Sequence, residues 1–451
     1  MKRHLTGTLW LKPALMAATL GAIGFYLLQQ IYVPAPDIGQ LGGPVEGLTP
    51  EQLRKFYKTK EVFKHEFTVQ EGLGPLFNGR SCFECHGQPG IAGGEGRDVT
   101  STGVVRIAKR LPVSPKFGKP LKEVLADMHR SDVSVFTELG GPAVQRKSIT
   151  SEFPNLFPLD CQIEIGTIPQ GAELVSMRHA PPVFGFGLIE AIPDADIANN
   201  VFEEIRVAPE LAGRLSSHVD PLTLQPRIGR FGWKNQFATL PNFTIEALNT
   251  EMGISTFANS LERSGVGRGQ FSKCVQKFLP GVPNDKGSVT AQLAYFQALL
   301  APPPRGTITE QVKRGEKLFD QLQCAVCHRP TMYTAPIVYL IDPDSPAPKY
   351  NHIEVEALEN KPVHAYSDFL VHQMGPELAD GIPQAGALGG EWRTTPLWGL
   401  RFKKFYLHDG RTQDLTKAIM LHGGQASKVR DNFGRLPNRE KEDLLAFLKS
   451  L

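Results

Sequence analysis

Two short peptides carry the most legible chemistry, Cys82-Phe83-Glu84-Cys85-His86 and Cys324-Ala325-Val326-Cys327-His328. Both are C-x-x-C-H, the spacing at which two thiols add to the vinyl groups of a haem while the next residue ligates its iron. Structural zinc sites also use C-x-x-C pairs, and so do thioredoxin-like redox centres. Neither of those gives the histidine a task. Two covalently bound haem c groups are therefore expected, attached at Cys82, Cys85, Cys324 and Cys327, with His86 and His328 as iron ligands. The remaining cysteines, Cys161 and Cys274, fit either a disulfide in an oxidising compartment or two buried free thiols.

A haem with a second protein ligand moves electrons, whereas one with an open sixth position can meet peroxide or oxygen. Near the second haem peptide the pattern predicts a short helix from Asp414 to His422, stopped by Gly423-Gly424. Leu415, Ala418, Ile419 and His422 share one face of it, so His422 rather than Met420 is the expected distal ligand. His408-Asp409-Gly410-Arg411 occupies the preceding turn, and Arg393 and Arg411 are candidates to neutralise haem propionates. For the first haem no histidine or methionine occurs from Gly87 to Asp127, which leaves His65, Met128, His129, Met177 and His179. The reading is an open or weakly held iron. Peroxide cleavage there needs an acid–base group and a positive group to polarise the O–O bond. Glu190, a carboxylate inside the apolar run Gly187 to Ala191, and Arg178 are predicted for these roles, with burial raising the Glu190 pKa.

The elements that position these residues repeat. Thr49-Pro50-Glu51-Gln52 is a capping box that opens a helix ahead of the first haem peptide, and Val289, Leu293, Phe296 and Leu300 mark a closing helix. In the second half Thr309-Glu310 opens a helix with Val312, Gly315, Leu318, Phe319 and Leu322 at compatible spacing. Leu444, Phe447, Leu448 and Leu451 form the closing stripe. Arg178-His179-Ala180-Pro181 and Arg393-Thr394-Thr395-Pro396 repeat in the same order. Pro302-Pro303-Pro304 forbids helix continuation. The expected fold is mainly α, two cytochrome c-like haem domains with long loops and a few short strands, preceded by one N-terminal apolar helix. The expected limits are 1–36 for a signal peptide or membrane anchor, 45–303 for the first haem domain with loop insertions, and 304–451 for the second.

Met1-Lys2-Arg3 and Lys12 precede a stretch without charge from Pro13 to Val33, long enough for the roughly 20 residues that span a bilayer. Positive charge before the apolar run leaves the N-terminus in the cytoplasm and the rest outside. A periplasmic location follows, either soluble after cleavage or anchored to the inner membrane, with membrane contact through this segment. The net charge of +3 and the lack of a basic run interleaved with aromatics speak against a nucleic-acid partner.

With these residues in hand the chain resembles the bacterial di-haem oxidoreductase family, also called peroxidase-like or thiol oxidoreductase-like. The matching segments are Gly72 to Asn78 with its haem peptide, Pro181 to Pro193, Gly229 to Lys234, Glu251-Met252-Gly253-Ile254, and Tyr406 to Arg411 through His422-Gly423-Gly424. That family is similar in turn to di-haem cytochrome c peroxidases and to MauG, which oxidises residues of a partner protein. The resemblance implies that electrons enter through the second haem and that hydrogen peroxide reacts at the first, with a redox partner protein or a membrane electron donor as the source. It also implies a calcium between the haems, for which the sequence offers no ligand set. In those relatives a methionine or tyrosine stands where His422 stands here, and histidine should lower that haem's potential. Two other readings stay open: a di-haem electron-transfer cytochrome without peroxidase activity, and oxidation of a partner protein through an aromatic relay such as Trp233, Trp392 or Trp398.

Overall fold

The computed structural model describes residues 41–88, 93–96, 102–108, 143–159, 161–163, 165, 168, 172–220, 222–259, 281–345 and 351–451. The apolar N-terminal segment, Met128, His129 and Cys274 lie outside the described residues. No helix among those described is long and apolar enough to cross a membrane.

The protein is mostly helical, with strands only two to five residues long. Helix Pro50–Lys64 begins where the sequence places it, because Thr49 Oγ1 accepts from Gln52 N (3.2 Å) while Gln52 Oε1 accepts from Thr49 N (3.0 Å). It packs on helix Ser288–Leu299 through Phe56 and Phe63, whose rings lie 5.3 and 4.8 Å from that of Phe296. All three are fully buried, each contributing roughly 1.5–3 kcal/mol. The Cys82–His86 helix follows, capped by Ser81 Oγ, which accepts from Glu84 N (3.1 Å).

In the second half, helix Glu310–Gln321 crosses helix Asn438–Leu448. Gly315 sets how close they come, since a Cβ there would lie 1.9 Å from the Asp443 carbonyl oxygen. Phe319 and Phe447 meet across the crossing at 5.2 Å. A small core joins Val312 and Phe319 of the first helix and Leu444 and Phe447 of the second to Phe433 on helix Ser427–Arg435, with Tyr366 and Leu400 beside them. The larger core runs across the triple-proline connection, joining Phe56, Phe63 and Phe296 to Val338, Leu358, Phe369 and Leu370.

Two small antiparallel sheets place polar side chains that recur at the sites below. In one, Val104–Ala108 lies between Ala143–Val144 and Leu174–Arg178, with Arg106 opposite Ser176 and Val104 opposite Arg178. In the other, Val371–Gln373 pairs with Glu391–Arg393, which sets His372 opposite Trp392 and Val371 opposite Arg393.

Candidate functional site

The second C-x-x-C-H peptide opens on a cavity of about 220 Å³ whose wall includes Cys324, Cys327, His328, Trp233, Trp392, Arg393, His408 and His422. Asp414 caps helix Leu415–Met420 through its Oδ1, which accepts from Thr416 N and Lys417 N, and His422 follows one residue beyond the turn. Met420 faces outward, 41% exposed. The His328 and His422 rings stand with their centres 6.5 Å apart. An iron bound end-on by two imidazoles at about 2 Å would hold ring centres roughly 6–6.5 Å apart. Each ring donates from Nδ1 to a backbone carbonyl, His328 to Tyr366 O (3.1 Å) and His422 to Ala418 O (2.9 Å). A carbonyl can only accept, so each Nε2 keeps a bare lone pair for a metal. Burial pushes His328 down to about 4 and lowers His422, so both are neutral at pH 7.

The same cavity wall carries the cations Arg393 and Lys403, and the Glu95 carboxylate offsets part of the burial at Lys403. Arg393 donates from Nη1 to Arg230 O (3.1 Å), its Nε is buried without a partner, and burial pushes the guanidinium down to about 10. Burial also lowers Lys403. An unpaired buried cation is costly, and the propionates of a porphyrin would answer Arg393. The cavity, the paired imidazoles and this orphaned charge fit a haem. Arg411 is placed differently, half-exposed, bound to the Asp409 carboxylate and to Glu377 O.

At the first peptide, His86 donates from Nδ1 to Pro181 O (2.8 Å) and lies 6.5 Å from the Phe63 ring. Burial pushes it down to about 4. The preceding candidates for its distal ligand are sorted by exposure and partner. His65 caps the opening helix at the surface and pairs with Glu71 (2.8 Å). His179 is buried, with its Nε2 3.8 Å from the Glu95 carboxylate and neither ring nitrogen hydrogen-bonded. Met177 lies in a strand opposite Val105.

The carboxylate that meets the first peptide is Glu251. Helix Leu240–Met252 ends at Gly253 (φ +68°), where a Cβ would lie 2.5 Å from Leu76 O. That close approach seats the helix end on the chain leading into the haem peptide: Asn78 N donates to Glu251 O (2.6 Å), and Asn78 Nδ2 donates to its carboxylate (2.7 Å). Glu251 is near enough to Cys85 that, after burial itself, its charge is the largest cause holding that thiol up at about 12. Burial raises the Glu251 pKa against the opposing pull of Arg106. Arg106 Nη1 lies 3.8 Å from Glu246 and is buried without a hydrogen bond. The Glu251 carboxyl thus sits beside the first C-x-x-C-H peptide, with Arg106 near enough to oppose the rise in its pKa.

Glu190 and Arg178 have separate surroundings. Glu190 Oε1 accepts from Leu240 N (2.8 Å) on the wall of another cavity, of about 800 Å³, and burial pushes it up to about 7. Arg178 binds Asp380 (2.7 Å) and Gln384 and lies over the Trp392 ring. The sequence signal for Glu251 was its position, since an acid in the last turn of a helix opposes the macrodipole and calls for another reason to be there.

Cys161 is buried and disulfide-bonded, while Cys82, Cys85, Cys324 and Cys327 are free. Among the described residues the one group of His, Cys, Asp and Glu side chains able to share an ion is Cys327, Asp368 and His372. A thiol and an imidazole do not make the oxygen set that calcium takes.

The family model described as "Di-haem oxidoreductase, putative peroxidase" matches residues 167–451. Among solved structures the chain is similar to hydrazine synthase of Kuenenia stuttgartiensis (15% identity over 76% of this chain and 96% of that one, TM-score 0.30). It is also similar to a MauG-like protein associated with microbial copper homeostasis (17%, 77% and 92%, 0.28) and to the diheme peroxidase BthA from Burkholderia thailandensis E264 (15%, 77% and 91%, 0.32). No curated protein matches, and the assignment rests on the family model.

Proposed function

Because the chain belongs to the di-haem oxidoreductase family, which implies two haems, we propose that it is a peroxidase-like enzyme: both haems are bonded through thioethers, electrons enter at the second, and hydrogen peroxide reacts at the first. The supporting observation is the asymmetry of the two sites. His328 faces a second imidazole at 6.5 Å, whereas the imidazole that acts on His86, that of His179, lies 3.8 Å from the Glu95 carboxylate, and the Glu251 carboxyl sits against the first peptide. When bound, a six-coordinate haem supplies a reversible electron store and one with a vacant position supplies an iron that peroxide can reach.

The chain's own residues do the rest. Glu251, its carboxyl held by Asn78 Nδ2, takes a proton from one peroxide oxygen and returns it to the departing one. Arg106 draws negative charge toward that oxygen. His422, Arg393 and Trp233, whose Nε1 donates to His179 O (2.9 Å), line the route from the second site toward the first. Histidine at 422 favours a lower-potential donor than methionine would, either a redox partner protein or a membrane component. The Cys161 disulfide suits an oxidising compartment and so supports export to the periplasm, with the N-terminal segment cleaved or kept as anchor.

Acid acetone treatment should leave the red colour on the polypeptide. The oxidised holoprotein should show one six-coordinate and one five-coordinate or water-bound iron, and peroxide should change the spectrum of the latter. Glu251→Gln should slow that reaction by about 100-fold or more with the resting spectrum retained. Six-coordinate irons at both sites, oxidised and half-reduced, with no response to peroxide, would make the protein an electron-transfer cytochrome instead.

A further inference from the structure

Tyr366 has a backbone φ of +54°, in the left-handed region that glycine enters freely and a bulky side chain rarely does. It stands at the second C-x-x-C-H peptide, where its carbonyl oxygen accepts from His328 Nδ1 (3.1 Å). The next two residues are bound to the same peptide, Ser367 N donating to Arg329 O (3.0 Å) and Asp368 N to Cys327 O (3.0 Å). An unfavourable conformation at the residue whose carbonyl meets this imidazole needs something to hold it, since strain persists only where the surroundings over-determine it.

The side chain supplies that hold. Tyr366 is buried, with its ring packed edge-on against Phe319 (6.0 Å) and Phe447 (5.8 Å). Its hydroxyl, protonated at pH 7, donates to Glu316 Oε1 (3.2 Å). Arg305 fixes Glu316 in turn, donating from Nη1 to Oε1 (3.0 Å) and from Nη2 to Oε2 (3.1 Å), and its Nε reaches Ser450 Oγ (3.3 Å). Helix Glu310–Gln321, which carries both Glu316 and Phe319, thus grips Tyr366 at the ring and at the hydroxyl. At the first peptide the same task falls to Pro181 O, which accepts from His86 Nδ1 (2.8 Å). There the proline ring itself sets φ at about −65°, and no such grip is required.

The His328 and His422 ring planes stand 48° apart, and each ring's rotation is fixed by its Nδ1 bond, to Tyr366 O and to Ala418 O. We propose that Tyr366 is a positioning residue for the second haem: its hydroxyl, tied to Glu316, keeps its carbonyl aimed at His328 Nδ1 and so sets the rotation and the basicity of that iron ligand. This rests on the reading of His328 and His422 as the two ligands of the second iron, and the test separates the two. A carbonyl that accepts from the outer N–H makes an imidazole the more basic ligand, which favours ferric iron, so losing the aim should favour reduction.

The oxidised holoprotein is studied by electron paramagnetic resonance, whose g values for a bis-imidazole ferric haem follow the angle between the ring planes, and both haems are titrated optically against potential. Tyr366→Phe keeps the ring and every charge while removing the hydroxyl. It should shift the g values of the second haem and move its reduction about tenfold toward the ferrous form, about 59 mV for one electron, with the first haem unmoved. Glu316→Leu, which removes the acceptor, should give the g values of Tyr366→Phe. Glu316→Gln, whose one amide oxygen can accept from both the hydroxyl and Arg305 Nη1, should give those of the wild type. A folded Tyr366→Phe protein with wild-type g values and potential would overturn the proposal and show that the Ser367 and Asp368 backbone bonds suffice; an equal shift at both haems would overturn it too. A wild type without the bis-imidazole signal, whose second haem still moves in Tyr366→Phe, would remove His422 as a ligand and leave Tyr366 in its role.

Discussion

Glu190→Gln separates a buried structural carboxyl from a catalytic one through its effect on stability. Burial lifts the Glu190 carboxyl from its ordinary 4.5 to about 7, against the Leu240 N–H, Arg230 and Arg227, which favour the charged form. The native protein therefore holds this proton more tightly than the unfolded chain does. Its contribution is complete below about pH 4.5 and drains away as pH rises to about 7, a loss of about 3 kcal/mol. The amide oxygen of glutamine can still accept from Leu240 N, and it never charges. Urea unfolding of the holoprotein at about pH 5 and about pH 8 should show wild type losing most of that amount relative to the variant, with Glu190→Gln the more stable at the higher pH. A variant less stable than wild type at about pH 8, or a stability gap that does not change with pH, would refute the reasoning.

Two further substitutions probe the second half. Arg393→Met removes a buried positive charge from the wall of the cavity at the second C-x-x-C-H peptide, which should favour the oxidised iron and lower that haem's potential by on the order of 50 mV; spectroelectrochemical titration showing an unmoved or raised potential would count against a propionate-facing Arg393. Gly315→Ala places a methyl 1.9 Å from Asp443 O, so helices Glu310–Gln321 and Asn438–Leu448 must part at a cost of about 1–3 kcal/mol, and an unchanged thermal midpoint would show that the crossing has slack.

What could be read from the chain was whatever is local. The C-x-x-C-H peptides, the Thr49–Gln52 capping box, the Asp414 cap and the spacing that carries His422 inward each span fewer than about ten residues, although the helix expected to reach His422 ends at Met420 and a turn carries the imidazole the rest of the way. What could not be read was set by pairing between distant strands and helices. Arg178 looked suited to peroxide because it precedes the Pro181 segment; its partners Asp380 and Gln384 lie some 200 positions on. Glu190 stood out because its neighbours are apolar, which does predict the raised pKa but says nothing of which cavity it faces. Glu251 reaches the first haem peptide only because Gly253 lets a helix end press on Leu76, a contact that no periodicity encodes. Lys234 reads as an ordinary polar residue after Trp233, and only the fold shows it fully enclosed above Trp392.

The bonded, enclosed Cys161 has a bearing on how the mature protein is assembled. With that sulfur already committed, every thiol remaining among the described residues sits in one of the two C-x-x-C-H peptides. On the proposed thioether attachment, no other free thiol among the described residues competes for the porphyrin, and the fault left open there is each pair closing on itself, which one reducing step reverses.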